Sequence, residues 1–179
     1  MDPRTVEKPR GAKGGAASRR LAVFALIVVV WLGIDLATKA YFNSFELGSV
    51  VGGPFLGLVQ FRLVHNTGMA WGLFGDSTFA LGVMSVVVCV VLTAFLLLNL
   101  KRVSAVELMG LGLVVAGGLG NAIDRFAQGY VVDFIETVFM DFPVFNVADI
   151  GVTCGFVLFL VGLFLSARRE DAPGEQDAA

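Results

Sequence analysis

Residues 78–100 read TFALGVMSVVVCVVLTAFLLLNL, an uninterrupted run without a single charged side chain. The hydrocarbon core of a bilayer is about 30 Å thick, so a helix of about 20 mostly apolar residues can cross it. Three further stretches have similar length and character, at residues 20–42, 103–123 and 144–167. The sequence therefore predicts an all-α membrane protein with four transmembrane helices.

The domain organisation follows from these four spans. Residues 19–167 are expected to form one transmembrane domain, and the polar segments 1–18 and 168–179 are expected to be disordered tails. A cleaved signal peptide is the alternative for the first span, because Arg19 and Arg20 precede its apolar run. That run continues through Trp31 without a small-x-small cleavage site, which favours a permanent helix.

The composition excludes several classes of protein. Charged residues make up 16% of the 179-residue chain, and its mean hydropathy is +0.81, whereas soluble domains carry roughly 25% charged residues. The two Cys lie in apolar runs, which argues against a disulfide scaffold. The net charge of −2, without a basic stripe, argues against nucleic acid as a partner. We expect a monomer in contact with membrane lipids.

The basic residues predict the orientation of the spans. Ten of the 13 Lys and Arg residues lie before the first span, between the second and third, or after the fourth. Because basic loops stay on the cytoplasmic side, both termini are expected there. Residues 43–77 and 124–143 are then expected at the outer face.

Two short features are expected outside the membrane. Residues 58–64 (LVQFRLV) have strand-like composition and follow the turn signal Gly52-Gly53-Pro54, which predicts a small extracytoplasmic sheet. Residues 133–142 (DFIETVFMDF) place apolar pairs at helical spacing, which predicts a short amphipathic helix at the interface.

Ionisable and amide side chains occur at the ends of three predicted spans. Such residues are costly within a membrane and indicate a functional site. In the predicted topology these helix ends all lie at the outer face, and Asp133 lies in the adjacent outer loop. Glu107, near the inner end of the third span, is interpreted as a snorkelling residue. The outer group comprises Asp35, Lys39, Asn121, Asp124, Arg125, Asn146 and Asp149.

Each of these residues also has a purely structural interpretation. Asp35 and Lys39, four residues apart on one helix face, could be an ion pair that only anchors the helix. Asp124 with Arg125 could be a helix-end pair, and Asn146 could be an N-cap. Anchoring alone does not explain three Asp and two Asn on the faces of separate helices.

The residue types narrow the possible chemistry. The single His65, without a nucleophile-elbow motif, argues against a zinc protease site and a Ser-His-Asp triad. Cys89 and Cys154 are expected near mid-bilayer, which argues against a Cys nucleophile. A Ser-Lys dyad with Lys39 is conceivable, but the outer Ser residues lie in unremarkable contexts. Among the catalytic groups considered, a pair of carboxylates is the possibility that is left. Two close carboxyls share a proton, so one can activate water while the other donates to a carbonyl.

Two other classes of function are compatible with part of this pattern. Intramembrane Asp and Lys also mark ion pathways, so a small proton- or cation-coupled transporter is an alternative. A pathway needs polar groups through the full depth of the membrane, but the inner halves of the first and fourth spans are apolar. A non-catalytic membrane chaperone is the other alternative, and it would tolerate loss of the acidic groups.

Five motifs together resemble the ordered signature blocks of the lipoprotein signal peptidase (signal peptidase II) family. They are DLATK (35–39), NTGMAW (66–71), GGLGNAIDR (117–125), VVDF (131–134) and FNVAD (145–149). The resemblance covers about residues 31–150. It implies an aspartic endopeptidase of the bacterial cytoplasmic membrane with its active site at the outer face.

The resemblance also implies a substrate and roles for individual residues. The substrate would be a prolipoprotein whose Cys already carries diacylglycerol, cut on the amino side of that Cys, and globomycin-type lipopeptides would inhibit. Asp133 and Asp149 would be the catalytic dyad, without a metal or cofactor. From its apolar residues, the segment 134–142 is expected to be either a lid over the cleft or a passive interfacial anchor. The residues expected to bind substrate or support the site are Asp35, Lys39, Asn66, Gly117, Asn121, Asp124, Arg125, Asn146 and Ala148.

Overall fold

The computed structural model describes residues 12–68 and 77–170, with the side chains of 12–14 and 170 left aside. The described part of the chain holds four helices and three strands. Each helix is long and apolar enough to cross a membrane, which confirms the predicted four-span fold. In chain order the elements are α1 (Ala12–Phe42), β1 (Val50–Phe55), β2 (Val59–Asn66), α2 (Thr78–Asn99), α3 (Ala105–Gln128), β3 (Val131–Thr137) and α4 (Val147–Glu170).

The helix bounds differ from the predicted spans mainly at the ends. α1 begins at Ala12, within the segment expected to be a tail, and α3 continues past residue 123 to Gln128. Gly129 ends α3 in the left-handed conformation, with φ of 77°, which a residue without a side chain adopts without strain. The remaining tail residues, 1–11 and 171–179, lie outside the described residues.

α3 is the central helix of the bundle. Within its most apolar stretch, 67% of the residues are buried inside the protein, whereas the share is at most 22% in the other three described helices. Glycines let it approach α4 closely, because a Cβ added at Gly110 would lie 2.6 Å from the carbonyl oxygen of Gly155. In a membrane, where lipid tails are as apolar as Leu, such close contact between small residues drives helix association.

Glu107 has a different role from the predicted snorkelling. Its side chain is buried at the start of α3, where it accepts a hydrogen bond from the backbone N–H of the N-cap residue Ser104 at 3.1 Å. The Ser104 hydroxyl accepts in return from the backbone N–H of Glu107, which completes a capping box. The Ser166 hydroxyl of α4 donates to the other carboxylate oxygen at 2.6 Å. Glu107 therefore caps α3 and ties it to α4.

The three strands form one antiparallel sheet in the order β1-β2-β3. β2 confirms the predicted strand, but the Gly52-Gly53-Pro54 turn prediction is wrong. Those residues lie inside β1, and the hairpin turn is at residues 56–58, where Leu56 and Gly57 have positive φ. Irregular pairing between β1 and β2 accommodates the glycines.

The predicted interfacial helix at residues 133–142 is absent, because residues 131–137 form strand β3 instead. β3 pairs with β2 from Asn66 opposite Val131 to Val59 opposite Thr137. The first four residues of β3 are all buried, so the apolar residues occupy both faces of the sheet. A short apolar run of this kind satisfies a helical and an extended pattern equally, and only its packing partners decide between them.

The sheet is anchored on the end of α1 by an apolar cluster. Phe42, the last residue of α1, stacks on Phe134 of β3 with ring centroids 4.1 Å apart. Leu63 and Val132 complete the buried part of this cluster. The cluster fixes β3 relative to the helix bundle.

The contact between α3 and α4 gives a first prediction. Gly110→Ala and Gly155→Ala should each lower the midpoint of thermal unfolding in detergent, because overpacking costs about 1–3 kcal/mol. The matched control is Gly33→Ala on α1, since a Cβ there meets no atom within 4 Å. Equal midpoints for all three variants and the parent would contradict the close-packing interpretation.

Candidate active site

The predicted convergence of polar side chains is present in the structure. The ends of α1 and α3, the start of α4, the end of β2 and strand β3 contribute to one hydrogen-bonded network. Within it, buried side chains of Asp35, Lys39, Asn121, Asp124, Asp133 and Asn146 are at most 8% exposed.

Asn146 bridges the two acids that the motifs single out. Its Nδ2 donates to Asp133 Oδ1 at 2.7 Å, and its Oδ1 accepts from the backbone N–H of Asp149 at 3.0 Å. The backbone N–H of Asn146 donates to Asp149 Oδ2 at 3.1 Å. Asn146 therefore caps α4, as its structural interpretation proposed, and the same contacts hold both carboxyls near each other.

Two further amides hold the remaining carboxyl oxygens. Asn66 Nδ2, at the end of β2, donates to Asp133 Oδ2 at 2.9 Å. Asn121 Nδ2, on α3, donates to Asp149 Oδ1 at 2.8 Å. All four carboxyl oxygens of this pair thus accept a hydrogen bond from the protein, which fixes the orientation of both groups.

The environment of Asp133 favours its protonated form. Burial and the nearby charge of Asp149 raise the pKa of Asp133 to about 7, although the hydrogen bonds from Asn66 and Asn146 act in the opposite direction. Asp133 therefore keeps its proton to a higher pH than an ordinary Asp. Asp149 lies in the first turn of α4, where the helix dipole stabilises negative charge.

Lys39 forms the second half of the network. Its Nζ lies 2.9 Å from Asp35 Oδ2 and 3.2 Å from Asp124 Oδ2, and it donates to Asn121 Oδ1 at 2.9 Å. One hydrogen bond to Asn121 and two ion pairs, with Asp35 and Asp124, therefore compensate the buried ammonium. Asp124 therefore pairs with Lys39, and the sequence-adjacent pair Asp124 with Arg125 does not occur among the described residues.

Asp35 and Asp124 each hold the backbone next to a member of the acid pair. Asp35 Oδ1 accepts from the backbone N–H of Ala148 at 2.8 Å, one residue before Asp149. Asp124 Oδ2 accepts from the backbone N–H of Val132 at 3.1 Å, one residue before Asp133. The Lys39 cluster thus positions both acids through their own main chain.

Gly117 of α3 and Ala148 of α4 lie in a close contact between these two helices, next to the site. A Cβ added at Gly117 would collide with the carbonyl oxygen of Ala148, and Ala148 itself is fully buried. The structure therefore assigns both residues to packing that brings Asn121 and Asp149 together.

A cavity of about 470 Å³ opens beside the two acids. Asp133, Asp149, Asn66 and Arg125 line its polar side. Arg125 Nε is buried without a hydrogen-bond partner in the described part of the chain, and Nη1 makes only a 3.4 Å contact to the Asn121 carbonyl oxygen. Unlike Lys39, the guanidinium retains donors for a bound molecule.

Several cavity residues were not anticipated from the sequence. Residues 142–145 form one wall, and Ile150, Thr153 and Cys154 of α4 extend it along the helix. Thr153 is four residues from Asp149, and Cys154 is four residues from Ile150, so the helical period could have found them. Phe134, at the start of the expected lid, is instead part of strand β3 and is buried against Phe42.

The general bases of the two alternative mechanisms, His65 and Lys39, are engaged elsewhere. His65 stacks on Tyr130 and contacts Asn43 through Nε2. Lys39 contacts Asp35, Asp124 and Asn121, without a Ser partner among residues 12–68 and 77–170. Neither a Ser-His-Asp triad nor a Ser-Lys dyad is thus assembled there.

The fold and the site together define a membrane peptidase. The sequence comparison agrees: the family model for signal peptidase (SPase) II matches residues 27–165. The chain belongs to the signal peptidase II family.

Curated relatives and solved structures agree with this assignment. The lipoprotein signal peptidase of Enterococcus faecalis is 39% identical over 150 residues, which cover 80% of this chain and 91% of that protein. The lipoprotein signal peptidase of Gloeothece citriformis is 38% identical over 142 residues, covering 79% and 88%. A bacterial membrane enzyme solved by the in meso method at 2.3 Å resolution aligns with a TM-score of 0.73 at 27% identity, covering 88% of this chain and 94% of that one. Another, at 1.9 Å resolution, aligns with a TM-score of 0.68 at 30% identity, covering 79% and 92%.

The Lys39 cluster gives a second prediction. Lys39→Met should lower the free energy of unfolding by about 3–5 kcal/mol, because it leaves the buried carboxyls of Asp35 and Asp124 without their cation. Lys101→Met, at an exposed position in the α2–α3 turn, is the matched control. Denaturant unfolding followed by tryptophan fluorescence would measure both. An unchanged midpoint for Lys39→Met would show that the cluster is not stabilising.

Proposed function

We propose that this chain is an aspartic endopeptidase that removes the signal peptide from diacylglyceryl-modified prolipoproteins. The cut falls on the amino side of the lipidated Cys, through a water molecule activated by Asp133 and Asp149. One observation carries the proposal: both carboxyls line one cavity and are bridged by Asn146. The lipoprotein signal peptidases to which the chain is similar support the choice of substrate.

The different environments of the two acids support different starting roles. Asp133, with its pKa raised to about 7, holds the shared proton and donates it to the carbonyl oxygen of the scissile amide. Asp149 takes a proton from the attacking water, whose oxygen forms the new bond to the carbonyl carbon. Collapse of the tetrahedral intermediate returns the proton of Asp149 to the leaving nitrogen and breaks the C–N bond. The gem-diol proton goes back to Asp133.

The surroundings of the dyad suit a lipidated peptide. Arg125 lines the cavity with unused donors and can hold a substrate carbonyl oxygen, while Phe145 and Ile150 offer apolar surface to the peptide and acyl chains. Residues 142–145 form the wall that would exclude bulk water during the reaction. Globomycin-type lipopeptides would occupy the same cavity as the substrate.

The site also fits a defined place in the cell. The excess of Lys and Arg at the opposite ends of the helices supports a topology with both termini in the cytoplasm and the dyad at the outer face of the bacterial inner membrane. A substrate anchored by its acyl chains then enters sideways from the outer leaflet as a complex with one enzyme monomer. The transporter alternative lacks support, because the described buried network lies at one end of the bundle.

Substitution of the dyad gives a third prediction. Asp133→Asn and Asp149→Asn should each reduce cleavage of a diacylglyceryl-prolipoprotein by about 10²–10⁴-fold, the usual contribution of an acid–base group. A gel shift on loss of the signal peptide would follow the reaction with purified protein in detergent. Glu46→Gln is the matched control, because Glu46 is an exposed acid in the α1–β1 connection. Retained cleavage in both Asn variants would support a non-catalytic chaperone instead.

The raised pKa of Asp133 gives a fourth prediction. An acid with a pKa of about 7 loses its proton as the pH rises through neutrality, so kcat/KM should fall on the alkaline side of about pH 7. On the acid side, protonation of the base should lower it again, which makes the profile bell-shaped with apparent pKa values that belong to the pair.

His65→Gln is the control for this profile. Burial lowers the pKa of His65 from its usual value of 6.5, so its titration could be mistaken for one limb. His65→Gln should leave both limbs in place. A limb that disappears in this variant, or a flat profile in the parent, would overturn the assignment of Asp133 as the acid.

A further inference from the structure

A second cavity, of about 710 Å³, lies between the N-terminal half of α1 and the first turns of α3. α3 begins at Ala105 here, whereas Asn121 and Asp124 of the candidate active site lie towards its other end. The cavity is therefore at the opposite end of the bundle from the dyad. Neither the proposed reaction nor its residues involve it.

The cavity combines cationic and apolar walls. Arg19 and Arg20 line one part, and Val23, Ile27 and Met109 line another. No acidic side chain lines it among the described residues. Glu107 is close in sequence to the lining residues of α3, but its carboxylate is already engaged by Ser104 and Ser166. The positive charge at the cavity is thus left without a carboxylate partner in the described part of the chain.

The two arginines differ in what the protein does with them. Arg20 Nη1 donates to the carbonyl oxygens of Leu100, at 2.6 Å, and Val103, at 2.5 Å, which anchors the guanidinium at the α2–α3 turn. Arg19 is exposed and has no hydrogen bond or ion pair with residues 15–68 or 77–169. One guanidinium is therefore preoriented beside the cavity, and the other is available to a ligand.

We propose that this cavity binds one anionic phospholipid. Its phosphate would lie between Arg19 and Arg20, since guanidinium groups bind phosphate through charge-assisted hydrogen bonds. One acyl chain would lie along Val23, Ile27 and Met109. A free phosphate ion cannot use the apolar wall, and a zwitterionic lipid carries its own cation beside the phosphate. The combination of walls therefore matches a lipid with net negative charge.

The position of the site gives the lipid a structural effect. α1 and α3 both contribute to the cavity, and Arg20 also holds the backbone of the α2–α3 turn. A phosphate bound between the two arginines would join α1 to the α2–α3 turn. The bound lipid should accordingly raise the midpoint of thermal unfolding.

The test uses the delipidated full-length protein in detergent. Native mass spectrometry would count bound lipid on titration with dioleoyl phosphatidylglycerol or dioleoyl phosphatidylcholine, and a thermal scan would follow the same samples. We expect preferential binding of phosphatidylglycerol at one site. Arg19→Gln should weaken it about fivefold, the effect of removing one basic group near an anionic headgroup. Ala105→Trp should weaken it too, by filling the cavity at an exposed position without changing charge.

Two controls distinguish a defined lipid site from a general effect of surface charge and from a site for free phosphate. Arg169→Gln removes the same charge from an exposed position at the end of α4, outside the cavity lining, and should leave binding unchanged. Inorganic phosphate alone should neither displace the lipid nor raise the unfolding midpoint. Equal binding of both lipids, equal effects of Arg169→Gln and Arg19→Gln, displacement by phosphate, or insensitivity to Ala105→Trp would each overturn the proposal.

Discussion

The site depends on the burial of one ammonium group. The side chain of Lys39 is 3% exposed and reaches Asp35, Asp124 and Asn121 at once. A buried cation is tolerated only when its charge is paired and its donors are satisfied, so the ends of α1 and α3 are tied to a single arrangement. Through the amides of Ala148 and Val132, that arrangement extends to α4 and β3. The relative position of Asp133 and Asp149 is thus a consequence of how Lys39 is compensated.

The same cluster explains why four buried or half-buried Asp residues have two different roles. Asp35 and Asp124 contact the ammonium directly and bind backbone amides with their remaining capacity. Asp133 and Asp149 are held by side-chain amides of Asn66, Asn121 and Asn146, which orient a carboxyl without supplying a positive charge. Burial next to Asp149 therefore raises the pKa of Asp133, as expected when two carboxyls compete for one proton. Contact with the ammonium distinguishes the structural pair. Contact with Asn side chains distinguishes the pair suited to acid–base chemistry.

The sequence was sufficient for features that depend on hydropathy and helical spacing. It predicted four spans, and it predicted that Asp35, Asn121 and Asn146 would meet, because a helix end has a defined depth in a membrane. It was insufficient where tertiary partners decide. The sequence of residues 131–137 is compatible with a strand or a helix, and only the contacts with β2 and Phe42 decide for the strand. Asp124 lies next to Arg125 in sequence, but the two side chains have different partners. Asp124 pairs with Lys39 on α1, and no rule of local sequence spacing predicts that contact.

The two proposed catalytic acids come from unlike elements, and this has a physical reason. Asp149 needs the first turn of a helix, where unpaired backbone N–H groups favour a carboxylate. Asp133 needs a position without such donors if it is to keep a proton at neutral pH. Strand β3 provides it, since its backbone N–H groups are directed to β2, Asp124 and Phe145. Asn146 lies in the connection between the two elements and contacts both carboxyls. A proton can therefore be placed asymmetrically on a pair of chemically identical side chains.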